Sequence, residues 1–381
     1  MVKKTPSKKA PATSKKASSK SIPAQQDPSL SSNLQTSAEQ QRLLNIFSDA
    51  FSNVLSSELF PTLLQEVKQA LFNREFATAF GREDYLEAYA ARWSPTRALC
   101  YASVFLSIQK HLSKIVGHDQ DGDELKPAEE NSLSSGDVVK DKQATNENTE
   151  VSPPSTKAGK SGKLRMVCIG GCAAEHLAFA SYLESQSLVG RLTLLDSGPW
   201  SSVTALLEAK TNSPPPISKY ASAAAKASNR PLLEAHQLCL AFKQQDILDL
   251  DAPSLAAVLG DKPTIVTLMF TLNELYTSEG ISKTTKLLKN LGQELSDGSL
   301  LLVVDSPGSY SEAAVGKDKK KYPMQWLLDH TLVGIETPEY TWEKLQSNES
   351  IWFRLPDGLT YPIPLENMRY QLHLYRLEKT R

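Results

Sequence analysis

From residue 163 to the C-terminus, short apolar runs alternate with stretches of helical periodicity, and no other feature constrains the fold of this chain as tightly. Neighbouring strands that run in the same direction need a crossover of about a dozen residues, usually a helix. The alternation therefore predicts βαβ units and a largely parallel sheet covered on both faces. Strands are predicted over 164–169, 192–195, 238–242, 264–270 and 300–304, with helices over 174–185, 202–210, 255–260 and 283–295. Two further strands, 350–354 and 370–377, have no obvious helix between them, so they can pair antiparallel at the end of the sheet. Residues 211–229, with Pro214-Pro215-Pro216 and an Ala/Ser-rich run, read as a surface insertion between the second and third strands.

The preceding residues divide by composition. Residues 1–37 carry Ser, Lys, Pro, Ala and Thr with few large apolar side chains, too little to offset the entropy of ordering, so a disordered tail is predicted. Seven lysines (Lys3, Lys4, Lys8, Lys9, Lys15, Lys16, Lys20) precede the first acid, Asp27. Such a run serves as a nuclear import signal, a phosphate-binding arm or a solubilising tail. Residues 38–117 turn helical: Leu43, Leu44, Phe47, Phe51, Val54 and Leu55 recur at spacings of three and four, as do Leu63, Leu64, Val67, Ala70 and Leu71. Pro61 fits a first helical turn. Ser94-Pro95 marks another start, with Ser94 as cap, and a module of about four helices results. Residues 118–162 are polar and acidic and read as a flexible linker. The domain from 163 to 381 completes the chain.

Several classes are disfavoured. A formal net charge of -1 over 381 residues argues against a globally basic nucleic-acid binder. No apolar run approaches the roughly 20 residues of a membrane helix, and the lysine-rich N-terminus lacks the apolar core of a secretory signal. A soluble intracellular protein without membrane attachment is expected. Cys168 and Cys172 are not joined by a second pair at zinc spacing, so no metal is expected. With Cys100 and Cys239 they read as small buried hydrophobes.

The first predicted strand runs into Gly170-Gly171-Cys172-Ala173-Ala174 and then a helix. Small residues let the backbone approach a ligand, and the helix start offers free N–H donors. The second strand ends at Asp196, where a carboxylate can accept both hydroxyls of a ribose. Asp246 follows the third strand, where an adenine amino group could be met. A dinucleotide enzyme would want G-x-G-x-x-G; the positions here hold Gly170, Cys172 and Glu175, and the acid would repel a pyrophosphate. S-adenosylmethionine, with a sulfonium and no phosphate, tolerates this turn. After the fourth strand, Asn273 and Glu274 stand as polar groups on an apolar run. They read either as substrate-orienting residues or as a helix start capped by Thr271 with Glu274 closing a capping box. Lys317, Lys319, Lys320 and Lys321 follow the fifth strand, as a phosphate-steering or simply solvated loop.

At these residues the chain resembles the fungal large-subunit ribosomal RNA (uridine-N3)-methyltransferases, a branch of the S-adenosylmethionine-dependent methyltransferases. The resemblance lies in Arg92-Trp93-Ser94-Pro95-Thr96-Arg97-Ala98-Leu99, Val167-Cys168-Ile169-Gly170-Gly171 and Leu194-Leu195-Asp196 with Trp200. It continues through Met269-Phe270-Thr271-Leu272-Asn273-Glu274-Leu275, Trp352-Phe353-Arg354-Leu355 and Glu366-Asn367-Met368-Arg369-Tyr370. It implies an α/β, Rossmann-like seven-stranded methyltransferase sheet with an N-terminal α-helical module. S-adenosyl-L-methionine is the implied cofactor, held by Gly170, Gly171, Cys172, Asp196 and Asp246. Ribosomal RNA or a pre-ribosomal particle, met in the nucleus, nucleolus or cytoplasm, is the implied partner.

Attack by a uridine ring nitrogen on a methyl already activated needs positioning and a proton acceptor, and needs no cysteine nucleophile. Glu274 is the candidate acceptor and Asn273 its base-orienting neighbour. Arg97, Lys319, Lys320 and Arg354 are candidate RNA contacts, and Tyr276, Tyr310 and Trp326 candidate stacking surfaces. The alternatives are a protein or small-molecule methyltransferase, a non-catalytic ribosome-assembly factor that keeps the fold, and an oxidoreductase.

Overall fold

The computed structural model describes residues 35–117, 162–308, 310–315 and 318–380, without the side chains of 309–321. The lysine tail and most of the polar linker lie outside these residues. The helical segment comprises α1 (Ser37–Ala50), α2 (Ser52–Leu55), α3 (Phe60–Phe72), α4 (Phe76–Ala79), α5 (Glu83–Arg92), α6 (Ser94–Ser107) and α7 (Gln109–Leu112). The rest runs β1 (Lys163–Ile169), α8 (Ala174–Gln186), β2 (Val189–Asp196), α9 (Ser201–Thr211), α10 (Ala223–Ser228) and β3 (Leu238–Gln244). It continues with α11 (Ala252–Leu259), β4 (Ile265–Met269), α12 (Leu272–Ser278), α13 (Gly280–Glu294) and β5 (Leu300–Asp305). Last come β6 (Tyr310–Val315), β7 (Asp318–Pro323), α14 (Met324–Leu332), β8 (Tyr340–Phe353) and β9 (Met368–Lys379).

Local signals place many of these boundaries. Thr36 caps α1 with Glu39 in a closed capping box, and Pro61 sits in the first turn of α3. Ser94 does not cap α6: Trp93 holds that position without a side-chain cap, and Ser94 and Pro95 are both in the first turn. Thr271 likewise heads α12 without capping it, so Glu274 closes no box there. The insertion at 211–229 contains α10, capped by Ser222. The loop expected after β5 instead forms the β6–β7 hairpin, which alternation of small and charged residues did not reveal.

The seven-stranded sheet has the order β3-β2-β1-β4-β5-β9-β8. Its first five strands are parallel, β9 is antiparallel to β5, and β8 is antiparallel to β9. The order reverses between β1 and β4, which puts a ligand crevice at the carboxyl ends of these strands. Burial on both faces explains the near-continuous apolar runs of β1, β4 and β5.

The helical segment does not stand apart as a satellite. Leu44, Phe47, Leu99, Tyr101 and Phe105 share one core with Leu177 and Phe179 of α8 and with Met166, Leu192 and Leu302 of the sheet. The opposite face carries a second core from α11, α13 and α14 against Val167, Val266, Leu301 and Tyr375. The β8–β9 connection folds back over the helices. Gln41 and Thr360 exchange hydrogen bonds of 2.9 and 2.8 Å, Tyr361 donates to the Ala91 carbonyl at 2.7 Å, and Arg92 pairs with Glu366 at 2.7 Å. Among the described residues no helix is long and apolar enough to cross a membrane.

Candidate active site

β1 ends in two glycines that the chain needs as glycines. Gly170 and Gly171 have φ of +70° and +106°, a region that favours residues without a Cβ. A Cβ on Gly170 would run into the Thr271 side chain, and one on Gly171 would meet the Glu175 carboxylate at 2.7 Å. Thr271 Oγ1 donates to the Gly170 carbonyl at 3.0 Å, tying the β1 turn to the end of β4. The threonine spends its hydroxyl on this link, which is why it is lost to helix capping.

Asp196, at the tip of β2, turns its carboxylate towards this bend. Its Oδ2 accepts the Gly171 N–H at 2.9 Å and its Oδ1 the Gly198 N–H at 2.7 Å. Each oxygen keeps a second lone pair, so two acceptors remain for a diol. Burial raises the Asp196 pKa, and the two N–H bonds pull against that rise. Asp246 follows β3, accepts the Leu248 N–H at 2.9 Å to start a 3-10 turn at Ile247–Asp249, and lines the same cleft.

The cleft encloses about 1010 Å³ over the carboxyl ends of β1, β2 and β4. Gly170, Gly171, Cys172, Asp196, Asp246 and Glu274 all line it. Its lining carries six carboxylates (Glu75, Glu175, Asp196, Asp246, Glu274 and Glu279) against two arginines, Arg74 and Arg97. That balance disfavours a pyrophosphate. The glycine bend and the Asp196 carboxylate line one cleft, so the residues present fit S-adenosylmethionine. Cys172 contributes only wall: burial holds its thiol well above the ordinary range.

The far wall comes from the helical segment. Residues 74–81 around α4, Tyr89 of α5 and Arg97 of α6 line the cleft, and Phe80, Tyr89 and Trp200 pack edge-to-face or tilted beside it. Sequence reasoning missed Phe80 and Tyr89 as lining. Arg97, read from the sequence as an RNA contact, lines the cleft. Its guanidinium lies 4.5 Å from the Phe270 ring centroid and donates to the Tyr89 hydroxyl. Phe270 itself holds φ +62°, an uncommon left-handed conformation at the strand tip. Burial works against the Arg97 charge, but the Tyr89 and Tyr101 hydroxyls and the Glu175 and Glu274 carboxylates outweigh it and keep the group ionised.

Glu274 is pushed up to about 8 by burial; Arg97 lowers it, and Asp305 and Asp196 raise it further. Asn273 does not line the cleft. The first turn of α12 ties its N–H to Asp305 Oδ2 at 3.0 Å and leaves its Oδ1 buried without a hydrogen bond. Arg354 is also outside the cleft, exposed just past β8, with its guanidinium 5.3 Å from the Trp352 ring, which Arg369 approaches at 5.8 Å. Because β8 runs parallel to β5, this patch sits at the carboxyl edge of the sheet. Lys319 and Lys320 fall on β7 and Lys317 outside the described residues; the Tyr310 side chain is also outside them. Tyr276 is buried core, whereas Trp326 is 50% exposed and stacks between Tyr322 and His330. Among the described residues no cluster of three or more His, Cys, Asp or Glu is placed to hold a metal.

Comparison with known proteins accords with this geometry. The chain is 30% identical over 337 residues to the 25S rRNA (uridine(2843)-N(3))-methyltransferase of Saccharomyces cerevisiae, spanning 82% of this chain and 76% of that protein. Among solved structures it resembles the plantazolicin methyltransferase BpumL in complex with SAH, at TM-score 0.36 and 12% identity over 84% of this chain and 100% of that one. It also resembles the N-methyltransferase NodS from Bradyrhizobium japonicum WM9 in complex with S-adenosyl-l-homocysteine, at TM-score 0.27 and 13% identity over 56% and 77%. The family model described as "Putative SAM-dependent methyltransferase" matches residues 47–376, so the helical segment and the sheet together belong to that family, and the chain is an S-adenosylmethionine-dependent methyltransferase.

Proposed function

We propose that this enzyme methylates ring N3 of a uridine in large-subunit ribosomal RNA. The observation that carries this reading is the 30% identity, across most of the chain, to a yeast enzyme of that name. The cleft is in keeping with it. Bound S-adenosylmethionine supplies a methyl group already activated on its sulfonium, so the protein's task is to orient and to handle one proton. Gly170, Gly171 and Cys172 form the bend that the cofactor lies against, Asp196 accepts its ribose hydroxyls, and Asp246 meets its adenine. Glu274, on the cleft wall beside the glycine bend, accepts the proton that N3 must lose. Asn273 takes no direct part, because it stands away from the lining.

The target base must leave its stack to reach the cleft. Arg354 at the carboxyl edge contacts a flanking phosphate, Lys319 and Lys320 of β7 are further candidates for such contacts, and the exposed Trp352 beside Arg354 and Arg369 offers a stacking surface. The lysine-rich tail adds a sequence-blind contact or an import signal, placing the enzyme on pre-ribosomal particles in the nucleus, nucleolus or cytoplasm. Mass spectrometry of ribosomal RNA from cells with and without the gene tests the reading. Loss of one 3-methyluridine is expected. An unchanged inventory of methylated uridines would sink it and favour a protein or small-molecule substrate, or a non-catalytic part in assembly.

A further inference from the structure

Two titratable groups of opposite sign line the cleft without an ion pair. Arg97 presents five N–H donors, of which the Tyr89 hydroxyl takes one. Phe270 and Tyr89 pack against the guanidinium at 4.5 and 5.4 Å, and among the described residues no carboxylate pairs with it within 4.0 Å. Glu175 is 4% exposed in the first turn of α8, where the helix dipole favours an anion. Its oxygens stand 2.7 and 3.0 Å from where a Gly171 Cβ would lie, and it too forms no ion pair. A desolvated carboxyl without an ion pair is costly to ionise unless a ligand supplies the opposite charge.

We propose that Arg97 and Glu175 together hold the amino-acid end of S-adenosylmethionine, the guanidinium taking its carboxylate and Glu175 its ammonium. The inference rests on the family's cofactor and on the lining of this cleft. An amino acid is a zwitterion and needs one site of each sign, which Arg97 and Glu175 provide in one cleft. An RNA phosphate, the partner the sequence favoured for Arg97, would gain the guanidinium but face Glu175, Asp196 and Glu274 as well. Burial pushes the free Glu175 carboxyl up to about 7, with Arg97 drawing it down and Asp196 raising it. An ammonium beside it draws it back to the ionised form.

Calorimetry on the full chain with S-adenosylhomocysteine and with 5′-methylthioadenosine, which lacks the amino-acid moiety, separates this from a general structural role. The wild-type chain should prefer S-adenosylhomocysteine strongly. Arg97→Met should lower that affinity about 10- to 100-fold, as loss of a charge-assisted fork does. Its affinity for methylthioadenosine should stay within about threefold of wild type. Glu175→Gln should show the same selectivity. Equal losses for both ligands, or none for either, would overturn the proposal. Unchanged S-adenosylhomocysteine affinity with weakened RNA binding would return Arg97 to the RNA. Should Arg97→Met fail to fold, Arg97→Lys decides: a loss confined to S-adenosylhomocysteine supports the fork, and equal changes refute it. A wild-type chain that binds neither ligand would defeat the cofactor assignment itself.

Discussion

Asp196 has two tasks, since the oxygens that would receive a ribose also hold the Gly171 and Gly198 amides. Asp196→Ala therefore removes ligand acceptors and releases the bend in one step. With charge-assisted bonds contributing about 1.5–3 kcal/mol each, cofactor affinity measured by calorimetry should fall at least tenfold. Asp196→Asn, which keeps one acceptor oxygen, should lose less. Glu274 carries a different kind of prediction, because as the proposed proton acceptor it would take part in the chemistry. A base held up to about 8 by burial is mostly protonated at neutral pH, so kcat/KM should climb as pH rises through about 8. Glu274→Gln should lower kcat by about 10²- to 10⁴-fold and abolish that limb. An unaltered pH profile in the variant would remove Glu274 from the reaction. The glycine pair and Asp196 were legible as a site because each follows directly from a strand end. Arg97 was read as an RNA contact, because the residues it packs against, Phe270 among them, are far away in the chain.

At the level of elements, close approach matters as much as propensity. α13 crosses the amino-terminal side of β8 so tightly that a Cβ on Gly292 would overlap the buried Tyr340 ring, with the phenol oxygen at 2.8 Å. That hydroxyl donates to the Lys289 carbonyl at 3.1 Å, so the ring has little freedom to retreat. Gly292→Ala would gain helix propensity of about 1 kcal/mol and lose more to overpacking, leaving a net destabilisation of about 1–2 kcal/mol. A lower denaturant midpoint with an unchanged slope is the expected record. The core strands and long helices could be read from periodicity alone. The β6–β7 hairpin could not, because neither face of it carries an apolar alternation, and the pairing in β8 begins ten residues before the predicted 350 because its exposed face is polar.

Over the whole molecule, the helical segment and the sheet share one core, so the α/β part should not survive alone. A chain of residues 162–381 would expose Leu177, Phe179 and Tyr182 of α8, which α6 now covers, and would also lack Arg97 and Tyr89. It should be insoluble or unfold without cooperativity, as gel filtration and thermal melting would reveal. Stability should also depend on pH in a defined window. Burial raises Glu175 to about 7 and Glu274 to about 8, so the folded chain keeps protons that the unfolded chain releases above about 4.5. Each group therefore costs stability as pH rises to its folded pKa. His176 and His373 are both lowered to about 4 by burial, and they oppose this only below about 6.5, where the unfolded chain takes up protons that the folded one refuses. The cofactor-free protein should lose stability between about pH 6.5 and 8. Glu175→Gln with Glu274→Gln should flatten that fall in a series of thermal melts.

The order of apolar runs, glycines and acids determined by itself that the second half is a doubly wound sheet with a candidate site at the ends of β1 and β2. Such a fold follows from local periodicity, and such a site from strand ends that the topology must bring to one edge. Only the tertiary structure decided which residues close the cleft. The docking of α4, α5 and α6 brings Phe80, Tyr89 and Arg97 to the cleft wall. That docking depends on side-chain volumes matched between segments far apart in the chain, a property that no short stretch of sequence encodes.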